Sequence, residues 1–234
     1  MKRILVTGPV ESLDDWAEAA RSAGWDALAF PLVVIEPLAV AFDRAELERA
    51  DCVLVTSSNA LPALLTACEA APSLRSRPLH VVGARTAARA RAFGLEPRIV
   101  ATDAHELARL VLALEPRPKR AFWPRGSLSD ELARALRGGG LAVDDRVVYT
   151  TRDAASEPAP PAEAVFLASP SAVRAWRALP GSANHPARIA IAIGATTLAA
   201  LHAETGARFP DILSLPRASS RELALLLAHL DVTP

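Results

Sequence analysis

Residues 53 to 60 read Val-Leu-Val-Thr-Ser-Ser-Asn-Ala, an apolar run that passes directly into small polar residues. This pattern is typical of a buried parallel strand whose carboxyl end turns into a helix. Residues 165 to 172 read Val-Phe-Leu-Ala-Ser-Pro-Ser-Ala and repeat the pattern 112 positions later. The two segments predict the same strand-turn-helix unit in each half of the chain.

A second pair of segments lies at almost the same spacing. Residues 82 to 86 (Val-Gly-Ala-Arg-Thr) match residues 193 to 197 (Ile-Gly-Ala-Thr-Thr), 111 positions further on. Gly94 and Gly206 are predicted to end the helices that follow these segments. The nearly constant spacing indicates an approximate internal duplication.

The alternation of strand and helix continues along the whole chain. Strands are predicted at residues 3–7, 52–56, 79–82, 121–124, 165–168, 189–193 and 212–215. Helices are predicted to begin at Leu13, Ser58, Ala84, Ser127 and Ser219. Strands that alternate with such helices predict an α/β fold of two similar parallel-sheet, flavodoxin-like domains, with helices on both faces of each sheet.

The two halves are predicted to interleave. The opening strand, its turn Thr7-Gly8-Pro9 and the next helix resemble the segment around Pro124-Arg125-Gly126. For both halves to be complete, the opening segment must therefore pack with the closing third of the chain.

This interleaving sets the expected domain boundaries. One domain comprises residues 1–35 and 153–234, and the other is an insertion of residues 38–150. The chain crosses between the domains at residues 33–38 and 148–153. Two crossings predict a two-stranded hinge, with a cleft between the domains.

The composition narrows the function classes. The 234 residues include 26 basic and 26 acidic ones, so no general electrostatic attraction draws the chain to nucleic acid or to an anionic membrane. No uninterrupted apolar run approaches the roughly 20 residues that span a bilayer. We therefore expect a cytoplasmic protein with no nucleic-acid or membrane partner.

The cysteines and histidines give no sign of a metal site. Cys52 lies in an apolar strand pattern and Cys68 in a helix pattern, without CxxC spacing. None of the five histidines has a partner at the spacing of metal ligands. We expect two buried thiols and no metal.

Candidate binding groups lie in the loops that follow the predicted strands, where ligands of open parallel sheets bind. Each loop precedes a helix, whose free N–H groups and positive dipole end stabilise a carboxylate by about 0.3–1 kcal/mol. The candidates are Thr56, Ser57, Ser58, Gly83, Arg85, Thr86, Arg125, Gly126, Ser127, Ser169, Ser171, Gly194, Thr196 and Thr197. A single Ser or Thr at such a position is better explained as a helix cap, but the repetition in both halves favours a polyanion site.

Familiar catalytic signatures are absent from the sequence. Neither Gly83 nor Gly194 begins a GxGxxG or GxxxxGK[ST] motif, and no GxSxG motif occurs. We therefore expect a reaction whose difficulty lies in holding a flexible substrate in one shape. Tyr149, the only tyrosine, is predicted either to pack at the domain junction or to present its phenol to the cleft as a proton donor.

An ordered set of motifs resembles the uroporphyrinogen-III synthase family. The motifs are VLVTSSNA (53–60), VVGARTA (81–87), WPRGS (123–127), VVYTT (147–151), FLASPSAV (166–173), IGATTL (193–198) and SSRELALLL (219–227). The similarity extends from about Arg3 to Leu230, essentially the whole chain.

The resemblance implies a lyase-type cyclisation without cofactor. Hydroxymethylbilane loses water, its ring D is inverted through a spirocyclic intermediate, and uroporphyrinogen III is formed. By the same resemblance, Tyr149 is the acid that assists departure of the hydroxyl group. The matching substrate-binding positions are Thr86, Thr196 and Thr197, with backbone amides in the loops at Ser57, Ser58, Gly126, Ser169 and Ser171.

One position departs from the family pattern. The family's first strand commonly ends in an arginine-proline pair, whereas Gly8 stands here in place of the arginine. If that arginine binds a substrate carboxylate, either Arg85 or Arg125 compensates for its loss or the substrate is bound more weakly.

Two competing functions stay open from the sequence. One is a two-lobed module that binds an anion or a tetrapyrrole without converting it, as a diverged relative of the synthase. The other is a nucleotide-dependent transferase, which the missing phosphate loops disfavour. For the synthase, the expected partner is hydroxymethylbilane, bound by a monomer that makes transient contact with the preceding enzyme of the pathway.

Overall fold

The computed structural model describes residues 2–8, 13–154, 157–205 and 209–232. The chain forms two compact units, one made of Met1–Val34 and Arg152–Pro234 (the first unit) and the other of Ile35–Thr151 (the second unit). Of the positions singled out in the sequence, Pro9 and Gly206 lie outside the described residues.

Each unit contains one β-sheet. The strands are β1 (Arg3–Val6), β2 (Asp26–Ala29), β3 (Val33–Pro37), β4 (Cys52–Val55), β5 (Leu79–Val82), β6 (Pro97–Ala101), β7 (Arg120–Gly126), β8 (Ala142–Asp153), β9 (Ala164–Leu167), β10 (Ile189–Ala192) and β11 (Asp211–Ser214). The sheet of the first unit has the order β11-β10-β9-β1-β2, and that of the second has the order β3-β8-β7-β4-β5-β6. All pairs from β11 to β2 and from β8 to β6 are parallel.

Helices connect most of the parallel strands. They are α1 (Leu13–Ser22), α2 (Arg44–Glu48), α3 (Leu61–Ala70), α4 (Ala84–Ala92), α5 (Ala104–Leu112), α6 (Glu131–Gly138), α7 (Pro170–Ala178), α8 (Ala195–Thr205) and α9 (Ser220–Val232). Within the described ranges, none of the helices is long and apolar enough to cross a membrane.

The central strands are buried on both faces, which explains their nearly continuous apolar sequence. In β4, Val53 and Val55 belong to one apolar cluster, whereas Cys52 and Leu54 belong to the cluster on the opposite face. Cys52 and Cys68 are both buried free thiols, as predicted. Burial raises the pKa of Cys52 to about 12, and the nearby Asp51 charge adds to the rise, so this thiol stays neutral near pH 7.

The strand orders confirm the predicted duplication and the α/β fold class. In the first unit, β1, β2, β9, β10 and β11 follow the order 2-1-3-4-5 that is characteristic of flavodoxin-like sheets. In the second unit, β7, β8, β4, β5 and β6 occupy the equivalent places. The turn after β1 is therefore equivalent to the turn after β7, as the sequence comparison indicated.

Two predicted helix starts differ from the structure. The helix predicted from Ser58 begins as a 3₁₀ turn (Ser58–Ala60) before α3. The helix predicted from Ser127 begins only at Glu131, because Arg125 donates hydrogen bonds to the carbonyls of Gly126 and Ser129 and holds the intervening residues as a loop. The other three predicted starts lie within one residue of the observed ones.

The chain passes between the units in β3 and β8. Leu38 N donates to the carbonyl of Val148, and Ala154 N donates to the carbonyl of Leu32, so the two segments run antiparallel. The predicted domain boundaries, hinge and cleft stay predictions.

Candidate active site

A cleft in the second unit opens at the carboxyl ends of β4 and β7. It has a volume of about 250 Å³. It is lined by Thr56, Ser57, Ala104, Trp123, Arg125, Gly126, Leu128, Ser129, Glu131, Leu132, Tyr149 and Thr151. The structure therefore brings together five of the predicted site residues: Thr56, Ser57, Arg125, Gly126 and Tyr149. We call this cavity the Tyr149 cleft.

Tyr149 combines a packed ring with a phenol at the cleft wall. Its ring is half-buried and packs against the apolar cluster around Val53 and Phe122. Burial raises the pKa of the phenol above its ordinary value of 10, and the hydrogen-bonding interaction with the Ser57 side chain opposes part of that rise. The phenol is therefore protonated at neutral pH and can donate a proton.

Gly126 lies directly against the Tyr149 ring. A Cβ atom placed on Gly126 would be 2.6 Å from Cζ and 2.8 Å from Oη of Tyr149. Carbon atoms in proteins do not approach that closely without one of them moving. Glycine at this position is thus a steric requirement for the observed position of the phenol.

The backbone around this contact is irregular. The register between β7 and β8 shifts after Arg125, so that Gly126 pairs with Tyr149 rather than with Val148. Ser127 N donates to the Tyr149 carbonyl, and the hydroxyls of Ser127 and Thr150 are 3.1 Å apart. Such irregularities re-aim side chains beside functional sites, and here the shift places the tyrosine next to the glycine.

The loop after β4 forms another part of the wall of the Tyr149 cleft. The Ser57 hydroxyl accepts a hydrogen bond from Asn59 N and caps the 3₁₀ turn that contains Ser58. Trp123 Nε1 is 3.4 Å from the Thr56 hydroxyl, to which it donates. Ser57 thus combines capping with contact to the phenol.

Arg125 is engaged within the second unit. Its guanidinium is 2.7 Å from the Asp145 carboxylate, which also accepts a hydrogen bond from Arg137. The side chains of Arg125 and Asp145 are only 15% and 16% exposed. Burial alone would raise the pKa of Asp145, but the hydrogen bonds and charges of the two arginines outweigh it and hold this pKa below its usual value.

We expect Asp145→Asn to destabilise the protein by about 1–3 kcal/mol at pH 7, because Arg125 loses a charged hydrogen-bond partner in a poorly solvated position. The folded-state pKa of Asp145 lies below the unfolded value of about 3.9. The contribution of the Asp145 carboxylate to the free energy of unfolding is therefore present above about pH 4 and is lost as the pH falls through the folded-state pKa. Urea unfolding at pH 7 and at pH 3 measures both effects.

Asp144→Asn is the matched control for that experiment. Asp144 pairs with Arg120, and the two side chains are 28% and 35% exposed. The loss of stability caused by Asp144→Asn is expected to stay below about 1 kcal/mol. Equal losses in both variants would contradict a special role for the Asp145 pair.

The loop after β5 presents an uncapped helix start. Gly83 has a φ of +83°, and none of the described side chains makes a capping hydrogen bond at the start of α4. Thr86 is buried in the first turn, whereas Arg85 is exposed. Arg85 makes no ion pair with any described residue and is therefore available to a carboxylate.

The first unit carries the equivalent loops after β9 and β10. Ser169 caps α7 by accepting from Ala172 N at 3.1 Å, and its hydroxyl is 2.9 Å from that of Ser171. Gly194 precedes α8 at the carboxyl end of β10. Thr196 is exposed and Thr197 is buried. These residues occupy the carboxyl edge of their own sheet, as predicted.

The backbone conformation at residue 8 explains why glycine stands there in place of the family's arginine. Gly8 has a φ of +147°, a conformation that residues with a Cβ atom rarely adopt. The preceding Thr7 is buried, and both its amide and its hydroxyl donate to the Phe166 carbonyl, at 3.0 and 2.8 Å. An arginine could not replace Gly8 without strain in this turn.

Several residues of the Tyr149 cleft were not predicted from the sequence. The sequence predicts Trp123 only as part of a strand and of the WPRGS motif, and it predicts Leu128 and Glu131 only as part of the helix from Ser127. The irregular loop between β7 and α6 leaves Leu128 58% exposed and brings Glu131 to the cleft wall. In the described part of the chain, no group of three or more His, Cys, Asp or Glu side chains could hold a metal ion.

Comparisons with known proteins show the family and the fold of the chain. The family described as uroporphyrinogen-III synthase HemD matches residues 14–208. The fold is similar to that of a mutant uroporphyrinogen III synthase from the extremely thermophilic bacterium Thermus thermophilus, at 19% identity and a TM-score of 0.67, over 99% of this chain and 100% of that one. It is also similar to uroporphyrinogen-III synthetase from Helicobacter pylori, at 18% identity and a TM-score of 0.62, over 98% and 100%.

No curated protein matches the sequence significantly. The family match covers most of the chain and confirms the resemblance carried by the ordered motifs. The chain belongs to the uroporphyrinogen-III synthase family.

Proposed function

We propose that this enzyme cyclises hydroxymethylbilane to uroporphyrinogen III, with loss of water and inversion of ring D, in tetrapyrrole biosynthesis. Membership of a family of cofactor-independent lyases carries the assignment. The structural likeness to uroporphyrinogen III synthases supports the fold on which it depends.

Tyr149 is assigned the role of general acid. The hydroxymethyl C–O bond breaks, the phenol gives its proton to the departing oxygen, and water leaves with the bonding electron pair. The remaining azafulvene is a strong electrophile that ring D attacks to give the spirocyclic intermediate. A phenol with a raised pKa is protonated before this step. The proton released when the pyrrole rings regain aromaticity converts the phenolate of Tyr149 back to the phenol.

The loops at the carboxyl edges of both sheets are assigned to the substrate's eight carboxylates. The uncapped start of α4 offers free N–H groups, and Arg85 beside it offers an exposed charge. The equivalent loops at Ser169 and Gly194 are assigned the same role. Arg125 is assigned a supporting role, because its guanidinium is already paired with Asp145 and shapes the loop after β7.

Separation of isomers tests the proposal directly. The protein is incubated with freshly prepared hydroxymethylbilane, and the products are oxidised and resolved by chromatography. Spontaneous closure gives isomer I, so the enzyme is expected to give predominantly isomer III. Isomer I alone, at the rate seen without protein, would overturn the assignment and leave a binding module.

We further propose that the enzyme works in the cytoplasm as a monomer and receives its unstable substrate by transient contact with the preceding enzyme. The balanced charge and the two buried free thiols support a cytoplasmic location. Sedimentation of the protein alone and with the preceding enzyme tests the assembly. A stable dimer at micromolar concentration would contradict the monomer.

A further inference from the structure

A second cavity of the second unit lies at the opposite edge of the sheet from the Tyr149 cleft. It has a volume of about 380 Å³. Asp51, Cys52 and Pro78 line it at the amino ends of β4 and β5, and residues 114–119 close it from the segment before β7. Its volume is within the range of small-molecule sites. The proposed cyclisation makes no use of it.

His80 forms part of this cavity and is the most unusual polar group of the described chain. Its side chain is 0% exposed, and neither ring nitrogen has a hydrogen-bond partner among the described residues. Buried polar groups are nearly always paired, and an unpaired one calls for a ligand, a water or a functional reason. The imidazole of this cavity-lining residue therefore carries an N–H without a partner among the described residues.

Strand geometry shows which way the imidazole points. Leu79 and Val81 belong to the apolar cluster around Val53, so His80, between them, faces the opposite side of β5. That is the side of Cys52 and of α5, whose end leads into Leu114 of the cavity wall. The imidazole and the cavity thus lie on the same face of the sheet.

The charged side chains that line the cavity are more often basic than acidic. Arg98, Arg117 and Lys119 line it, together with Asp51 and Glu115. The Asp51 carboxylate accepts from the backbone amides of Lys119 and Arg120, so it is already engaged. Arg117 donates to the Gly139 carbonyl. Among the described residues, nothing forms an ion pair with the side chains of Arg98 and Lys119.

The charge of Arg98 also affects the protonation of His80. Burial lowers the pKa of His80 to about 4, and the Arg98 charge adds to the lowering. The imidazole is therefore neutral near pH 7 and carries one N–H. An anion beside Arg98 would accept that N–H and reduce the repulsion between Arg98 and a protonated imidazole.

We propose that this cavity, at the amino edge of the second sheet, binds a small organic anion. Arg98 and Lys119 attract its phosphate or carboxylate group, the N–H of His80 pairs with it, and the apolar walls at Leu114, Pro116 and Pro118 accept its carbon skeleton. The site is separate from the Tyr149 cleft and does not depend on the proposed cyclisation.

Titration with two probes, phenyl phosphate and benzoate, tests the site at constant ionic strength. The ring signals of His80 are followed by NMR and assigned by their loss in His80→Phe. We expect a saturable shift of these signals and a rise of at least half a unit in the pKa of His80 when the probe is bound. The probe that binds more tightly shows whether the site prefers a phosphate or a carboxylate group.

Variants at the mouth make the test independent of any loss of folding in His80→Phe. Arg98→Ala combined with Lys119→Ala is expected to weaken probe binding at least tenfold and to leave cyclisation unchanged. Arg109→Ala removes an exposed arginine of α5 that lies outside the cavity, and it is expected to leave binding unchanged. No saturable shift at His80, or equal affinity in the double variant, would overturn the proposal.

Discussion

Tyr149→Phe is expected to slow formation of uroporphyrinogen III by about 10²–10⁴-fold, the usual contribution of a positioned general acid. The substitution keeps the ring that packs against the apolar cluster and removes only the hydroxyl. Stability should fall by no more than about 0.5–1.5 kcal/mol, because only the interaction with Ser57 is lost. A stopped assay with separation of isomers I and III, together with thermal unfolding, measures both effects.

Thr150→Val is the matched control, since it removes the neighbouring hydroxyl, which contacts Ser127 rather than the phenol. It is expected to keep turnover within a few-fold of the unsubstituted enzyme. The pH profile adds an independent check. Because burial raises the pKa of Tyr149 above 10, the phenol should not limit the rate between pH 7 and pH 9. Unchanged isomer III formation by Tyr149→Phe would remove the residue from its assigned role.

The fold could be predicted largely because its decisive strands are buried on both faces. Residues 53–55 and 165–167 are apolar throughout, and their repetition predicted two similar parallel sheets. The predictions left out the edge strands β2 and β6, and they gave β3 and β8 only as crossings between the domains. Local apolar patterning is weak where a strand lies at a sheet edge, so the sequence carried little signal there.

The candidate site was predictable in position and only partly in detail. Tyr149 stood out as the only tyrosine, and the small residues after each strand marked the carboxyl edge of the sheets. The pairing of Arg125 with Asp145 depends on the alignment of β7 with β8, which no local motif encodes. For the same reason, the exposure of Leu128 and the missing partners of His80 appear only in three dimensions.

Gly126→Ala is expected to lower the rate of isomer III formation at least tenfold, although the added methyl group carries no charge. The new Cβ would lie 2.6 Å from the Tyr149 ring, so the phenol must move or the shifted register between β7 and β8 must change. A displacement of about 1 Å in a catalytic group can cost on the order of 10²-fold in rate. Overpacking is also expected to cost about 1–3 kcal/mol of stability.

Gly138→Ala is the control for this substitution, because a Cβ at Gly138 in α6 meets no atom within 4 Å. Alanine is also the better helix former, so stability should be unchanged or slightly higher. A double-mutant cycle locates the effect: in a Tyr149→Ala background, Gly126→Ala should cost almost no stability, since the ring it would strike is gone. If the stability loss were the same with and without the ring, the contact between Gly126 and Tyr149 could not be its cause, and the steric basis for placing the phenol would fail.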